Sequence, residues 1–417
     1  MLTDTKVALE GYKITEIGEI PINWSVKQIN DIAGVKTGGT PSKAKPEYWQ
    51  EGTIPWMTSG EINLKRIYDV KERISELGFK NSNTTWLPVQ TIMMAMNGQG
   101  KTRGTVAILH TETTCNQSLA GILPSEKYNS EYLFYYLESR YNDLRGITGE
   151  GRSGLNLGII KSFKVVLPSL AEQQRIADIL STVDEQIENI NQLIDKTKEL
   201  KKGLMQKLLT KGIEHTEFKK TIIGEIPANW EIKTFREVTK VNQGLQIPIA
   251  SRYLENPGHR YFYITIQALK SSEDVYYIEN PTSSVVCTKD DILMTRTGNT
   301  GIVVTGVEGV FHNNFFKISY NKSLFDKNFL YIYLCSEKVQ QRIKILAGST
   351  TIPDLNHSDF YSIPVIIPNI EEQRKIAEII SSVDEQIKSY QQEKEKYIEL
   401  KKGLMQQLLT GKLRVTV

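Results

Sequence analysis

Two stretches of this chain carry nearly the same text, and any fold must accommodate both. The first, Pro168 to Gly212, reads PSLAEQQRIADILSTVDEQIENINQLIDKTKELKKGLMQKLLTKG. The second, Pro368 to Gly411, reads PNIEEQRKIAEIISSVDEQIKSYQQEKEKYIELKKGLMQQLLTG. The offset, 368 − 168 = 200, holds without a gap from the prolines to Thr210 and Thr410. A period this long excludes a solenoid and indicates a tandem duplication of one domain plus one helix.

Both copies predict a long helix. Pro168 and Pro368 stop what precedes them, and Ser169 with Glu172, like Asn369 with Glu372, has capping-box spacing. Apolar residues then alternate steps of four and three: Ile176, Leu180, Val183, Ile187, Ile190, Ile194, Leu204 and Leu208 in the first copy. The second gives Ile376, Ile380, Val383, Ile387, Tyr390, Tyr397, Leu404 and Leu408. Thr197 and Lys201 fill the gap in the first seam with polar groups. Such a seam, sustained for about four to five heptads, is that of a coiled coil. Gly203 and Gly403 weaken each helix by roughly 1 kcal/mol relative to Ala. Gly212 and Gly411 are natural stops.

A helix with one apolar stripe needs a partner, and the simplest partner is the other copy. The competing reading packs each helix on its own globular domain. A rod of about 40 residues is on the order of 60 Å long, and so long a seam overhangs a domain of ordinary size. A domain the size of 213–367 is about 40 Å across; parallel helices would force it to bridge the full rod, antiparallel ones only a short gap. The expected fold is α+β and pseudo-two-fold: two globular α/β domains separated by a long antiparallel two-helix coiled coil, with termini that meet. The segments are 1–167, a first globular domain; 168–212, a first spacer helix; 213–367, a second globular domain; and 368–417, a second spacer helix and tail.

A chain of 417 residues has room for these domains, each with its own core. It carries no twenty-residue apolar run, and its start, MLTDTKVALEGYKITEIGEIP, shows no targeting signal, so a cytoplasmic protein with no membrane partner is expected. Cys115, Cys287 and Cys335 make no CxxC pair and read as ordinary reduced thiols. A net charge of +3 permits local basic patches without demanding them.

The two globular segments share their opening text. IGEIPINWSVKQI begins at Ile17 and IGEIPANWEIKTF at Ile223, an offset of 223 − 17 = 206. Each predicts a tight turn followed by an aromatic core anchor, Trp24 or Trp230. A short helix is expected before each coil, over Tyr132–Arg140 and Phe329–Ile343. Elsewhere the segments diverge: the scaffold is duplicated and the surfaces are not.

One run imitates a phosphate-binding loop. AMNGQGKT, Ala95 to Thr102, ends in Gly-Lys-Thr, but its first position is Ala and the RGTVAIL that follows is strand-like. The second domain has a counterpart layout without Gly-Lys-Thr, DILMTRTGNTGIVV from Asp291. Two β-hairpins with polar tips fit better: Asn97, Gln99, Lys101 and Arg103 in one, Arg296, Thr297, Asn299 and Thr300 in the other. Asn and Gln can pair with adenine edges, Arg and Lys with guanine, and Thr or Lys with phosphate. Further candidates for DNA contact are Thr40 and Lys43, Asn116 and Gln117, Gln243 and Gln246, and Asn313 and Asn314 beside His312. The loops Gly151–Asn156 and Gly348–His357, before the long helices, offer backbone contacts or simple turns.

Enzymatic signals are missing. The five histidines show no metal spacing, and there is no GxGxxG, no Asn-Pro-Pro-Tyr and no clear nuclease cluster. No catalytic residue and no metal ligand is assigned. Two similar rods with two different heads describe a spacer with two readers, one per half of an asymmetric split site. The duplicated rod also offers two-fold surfaces on which two identical partners could dock.

On these residues the chain resembles the specificity subunit of type I restriction–modification systems. The resemblance covers essentially the whole chain. It is carried by GGTPS at Gly38–Ser42, YWQEGTIPW at Tyr48–Trp56, the glycine turns at Gly98 and Gly298, and Asn116-Gln117. Most specific are the PxxxEQxxIA-type starts at Pro168 and Pro368, with the repeated VDEQI and ELKKGLMQxLLT. The second domain departs from the first motif, with Asn242-Gln243-Gly244 where the first has Thr37-Gly38-Gly39. The resemblance implies two target-recognition domains on bipartite double-stranded DNA and a non-catalytic subunit. It implies two modification subunits that carry S-adenosylmethionine and methylate adenine, and restriction subunits that use ATP and magnesium. Two other readings compete: a self-contained nuclease with duplicated DNA-binding heads, and a coiled-coil adaptor that binds only proteins.

Overall fold

The computed structural model describes residues 10–98, 102–147, 154–271, 275–348 and 351–416. The chain divides into two compact units, residues 1–191 with 392–417, and residues 192–391. Each unit therefore holds one α/β domain, the start of one long helix and the end of the other. The helices are Leu170–Lys211 and Ile370–Leu408. Among the described residues, no helix is long and apolar enough to cross a membrane.

The first unit is built on a five-stranded sheet in the order Val35–Thr37, Leu119–Ile122, Ile92–Ala95, Val106–Leu109, Arg66–Ile67, antiparallel except for the last pair. Its central strands are buried on both faces, so they read as continuous apolar runs rather than alternating ones. Ile92, Met94, Val106 and Ile108 face the main core, which includes the helix Ser130–Ser139 and Ile176, Ala177 and Leu180 of the first long helix. Met93, Ala95, Ala107 and Leu109 face a smaller core with Met57 and Ile62. A three-stranded sheet, Thr114–Cys115, Ile54–Met57, Glu72–Ile74, completes the domain.

The second unit repeats this plan. Its four-stranded sheet runs Thr239–Gln243, Phe315–Tyr320, Ile292–Thr295, Val303–Val304, and a second sheet runs Tyr277–Ile278, Tyr261–Ile264, Gly309–Phe311, Val286–Cys287. Ile292, Met294, Phe316 and Ile318 again face the core that receives Ile376, Ala377 and Ile380. The helix expected over Phe329–Ile343 is two helices, Lys327–Cys335 and Glu337–Ala347. Ser336, at ψ 147°, turns the chain out of helical geometry between them.

The long helices run antiparallel, and each unit shows it independently. In the first, Leu408 and Leu409 from the end of the second helix share a core with Ile176 and Leu180 from the start of the first. In the second, Leu208 and Leu209 share a core with Ile376 and Ile380. Pairing of the helices and packing on the domain are not alternatives here, and both hold: the helix start, the other helix's end and the domain make one core in each unit. Leu404 joins it from the edge of the first unit, as Leu204 does in the second. Between these ends Val183, Val383, Ile190 and Ile194 are buried, while Ile187 and Ile387 are half-buried. Gly203 and Gly403 face open space.

Each helix start is pinned by a buried carboxylate. Ser169 Oγ and Asn369 Oδ1 accept from the N–H groups of Glu172 and Glu372, so half of the expected capping box is present. The glutamate side chains turn to the domain instead. Glu172 accepts from Trp24 Nε1 (3.0 Å) and from Arg414 Nε (2.7 Å). Glu372 accepts from Trp230 Nε1 (2.9 Å) and the Ile213 N–H (3.0 Å), with His215 Nε2 at 2.7 Å. Trp24 and Trp230 are the core anchors expected from sequence, and their indole N–H groups choose the partner. Tyr12 OH donates to the Gly411 carbonyl (2.8 Å), so the first strand of the domain and the segment just past the second long helix meet within the first unit.

The repeated words VDEQI and ELKKG are complementary to each other. Lys401 Nζ lies 2.8 Å from Asp184, and Lys201 Nζ lies 2.6 Å from Asp384. Lys201 in the polar gap of the first seam, and the equivalent Lys401, are therefore ion-paired across the two helices in a way the antiparallel register permits. The copies differ in depth. Lys401 also meets Glu138 (3.1 Å), which Lys65 reaches from its other side (3.0 Å); the equivalent of Glu138 in the second unit is Cys335. Lys401 is 18 % exposed, whereas Lys201 is 30 % and Asp384 46 % exposed. Burial pushes the Glu138 carboxyl up, but Lys401 and Lys65 outweigh it and hold it below its ordinary range.

Lys401→Met should therefore destabilise the first unit by about 2–4 kcal/mol, because two largely buried carboxylates lose a cation. Lys201→Met should cost the second unit less than about 1 kcal/mol, as for a solvent-screened pair. Urea unfolding followed by hydrogen exchange in each unit checks this. A carboxyl whose folded value lies below its unfolded value stabilises fully above the unfolded value and loses that contribution as pH falls through the folded one. Glu138→Gln should therefore be clearly destabilising at pH 7, and progressively less so as pH falls below the ordinary glutamate range, measured by the same unfolding midpoint.

Candidate nucleic-acid interface

In each unit four polar segments meet along one edge, joined by the same backbone hydrogen bonds. In the first unit the Gly39 N–H donates to the Cys115 carbonyl, the Met96 N–H to Ser118, and the Leu155 N–H to Met96 (3.0, 2.9 and 2.8 Å). In the second, the Leu245 N–H donates to Phe311, the Arg296 N–H to Asn314, and the Leu355 N–H to Arg296 (3.1, 2.7 and 2.8 Å). The segments are the glycine loop, the sheet hairpin tip, the turn after Cys115 or Phe311, and the loop before the long helix.

These bonds fix the register between the copies and correct the sequence alignment by one residue. Gly244 corresponds to Gly38, not to Gly39. A Cβ on Gly38 would lie 1.7 Å from the Cys115 carbonyl oxygen, and one on Gly244 2.1 Å from that of Phe311. Only glycine permits so close an approach. The next carbonyl is captured by an aromatic donor in both: Trp56 Nε1 to Gly39 (2.9 Å) and Tyr263 OH to Leu245 (2.9 Å). The second domain thus keeps the glycine-loop scaffold despite its altered text.

The turns correspond too. The Ser118 N–H donates to Asn116 Oδ1 (2.9 Å) and the Asn314 N–H to His312 Nδ1 (3.1 Å). Asn116 is therefore a turn-forming residue, and Gln117, exposed beside it, is bonded to Thr40 Oγ1. Burial first, then the charge of Arg252, lowers the His312 pKa and favours the neutral ring this bond requires. Gln243 Nε2 donates to the Asn313 carbonyl (3.1 Å), and Gln246 is exposed. Lys43 is exposed, its Nζ 5.5 Å above the Trp49 ring.

Of the first hairpin tip, Asn97 is exposed and Arg103 half-buried, while Gln99 and Lys101 lie outside the described residues, as do 151–153 and 349–350 of the loops before the helices. The strand Val106–Leu109, not a helix, follows this tip. In the second tip Asn299 is exposed, but Arg296, Thr297 and Thr300 are engaged with the protein. Arg296 Nη2 meets Asp354 (2.7 Å), Thr297 Oγ1 donates to the same carboxylate, and Thr300 Oγ1 donates to the Pro353 carbonyl (3.0 Å). Sequence reasoning did not assign Asp354 a role. The signal was available: Leu155-Asn156 and Leu355-Asn356 share the offset of 200, which places Asp354 opposite Gly154. Among the described residues, no group of three or more His, Cys, Asp or Glu is placed to hold a metal ion.

The sequence model of one family, the type I restriction modification DNA specificity domain, matches twice, over residues 21–199 and 227–400. The chain belongs to that family. Each match covers one domain with most of one long helix, the duplicated module seen in the structure. The type I restriction enzyme MjaVIII specificity subunit of Methanocaldococcus jannaschii is 28 % identical over 425 residues, covering 97 % of this chain and 96 % of that one. The crystal structure of the type I restriction–modification S subunit from M. genitalium shares the fold with TM-score 0.55 at 17 % identity, covering 93 % of this chain and 96 % of that one. A chain from a structure of complex assembly in a type I R-M system shares it with TM-score 0.61 at 14 % identity, over 94 % and 99 % of the two chains.

Gly38→Ala and Gly244→Ala should each displace their loop and cost about 2 kcal/mol or more of domain stability through steric overlap. Gly60→Ala, whose Cβ would meet nothing within 4 Å, should be neutral. Thermal unfolding of the three variants compares them.

Proposed function

We propose that this chain is the specificity subunit of a type I restriction–modification complex and reads an asymmetric, bipartite DNA site, one half per domain. One observation carries the reading: the same four-segment edge is built twice, on one backbone pattern, with different side chains on each copy. Thr40, Gln117 and Asn97 present one chemistry; Gln246, Arg296 and Asn299 present another. A shared scaffold with unlike polar groups is what two readers of two different half-sites require.

The paired helices set the gap between the half-sites. Their repeated text also supports the docking of two identical modification subunits. Leu200 and Leu400, equivalent leucines in the two ELKKG words, are 55 % and 48 % exposed, so each half offers a partner the same apolar spot. On this reading the chain is not itself catalytic. Adenine methylation with S-adenosylmethionine belongs to the modification subunits, and ATP- and magnesium-dependent cleavage to the restriction subunits.

Exchanging residues 213–367 for the same segment of another specificity subunit tests the reading, with the methylated sites of a host genome mapped before and after. One half-site should change and the other should persist; a change in both would refute it.

A further inference from the structure

The two units differ most sharply at one pair of matched positions. The backbone register places Met96 opposite Arg296 and Gly154 opposite Asp354. In the first unit this pair is apolar residue and glycine. In the second it is an ion pair at 2.7 Å.

The geometry of that pair is directional. The side edge of the Arg296 guanidinium is fully engaged: Nε donates to the Leu355 carbonyl (3.2 Å) and Nη2 to Asp354 Oδ2. Its plane stands over the Phe316 ring, 5.3 Å from the centroid. What remains is the end edge, Nη1 with the outer hydrogen of Nη2, which has no protein acceptor among the described residues. Two parallel donors held in a fixed plane match the O6 and N7 acceptors of guanine in the major groove. An open groove beside the tip is lined, among the described residues, by the exposed Lys270 and Lys344 with Asn299 and by no acidic residue, which suits a phosphate backbone.

We propose that Asp354 is a positioning residue that presents the end edge of Arg296 to a guanine in the half-site read by the second domain. This rests on the two-reader function proposed above. Without the carboxylate, the guanidinium loses its lateral anchor and its free edge no longer has one direction. The first domain, with Met96 and Gly154 at these positions, makes no such contact, and its half-site is read by other groups.

The test uses the full complex, with the chain assembled on its modification subunits, and maps methylation over a library randomised in both half-sites. Asp354→Ala should lower the preference for guanine at one position of the second domain's half-site by about tenfold or more. Every other position, and the whole first half-site, should keep its preference. The double variant Arg296→Met with Asp354→Gly, which installs the first domain's pair, should lose the same preference. Because that pair already sits on this scaffold, it keeps the test decisive if the alanine variant fails to fold. An unchanged guanine preference in the double variant, or an equal loss at all sequences, would overturn the inference, Asp354 then being only structural. The wild-type complex separates the two claims: a split site in the wild type leaves the two-reader function standing whichever way the variants behave.

Discussion

Everything in this chain depends on two helices that meet head to tail. The register is written into the repeated words themselves. Asp184 and Asp384 come from VDEQI, Lys401 and Lys201 from ELKKG, and each aspartate reaches the lysine of the other copy. A parallel pairing would bring like word to like word and face lysine with lysine. The ion pairs are modest in energy where exposed. The apolar contacts around them, Ile176 and Leu180 with Leu408, and Ile376 and Ile380 with Leu208, supply more, at about 1.5–3 kcal/mol for each fully buried side chain.

The same helices also orient the domains that carry the readers. Glu172 and Glu372 open the helices and hold Trp24 and Trp230 of the domain's first turn. Gln173 and Gln373 each accept from the N-cap of the domain's own helix, at Asn129 and Asp326. The PxxxEQ text is therefore a joint between rod and domain. Its residues are buried polar groups with fully formed bonds, which fix one docking geometry. The proposed reading edge is built from other segments of the same domain and is free to diverge. Met96 and Gly154 can become Arg296 and Asp354 while the backbone bonds that residue 96 or 296 makes to the neighbouring turn and to the loop before the long helix are kept.

Much of this was legible in the sequence. The seam, the helix limits, the tryptophan anchors and the duplication follow from spacing and local chemistry, which are the strongest signals a single sequence carries. The antiparallel direction followed from loop length alone. What was not legible depended on three-dimensional register. Glu172 has capping-box spacing, and nothing local says that its side chain will leave the cap for an indole N–H. Gly244 was matched to Gly39 because the loops around it share no text; only the carbonyl beneath it shows that its partner is Gly38. Arg296 and Asp354 are 58 residues apart in sequence, a pairing no local pattern announces. The break at Ser336 is equally silent, since apolar periodicity continues on both sides of it.

The central claim is that the paired helices hold two unlike readers at a set distance along DNA. The most direct test removes one heptad from the middle of each long helix, residues 189–195 and 389–395, which leaves both Asp–Lys pairs in place and preserves the seam. Seven residues correspond to about 10 Å of helix, or about three base pairs. The account predicts that the mapped recognition site keeps both half-sites and shortens the gap between them by about that amount. An unchanged gap would contradict it.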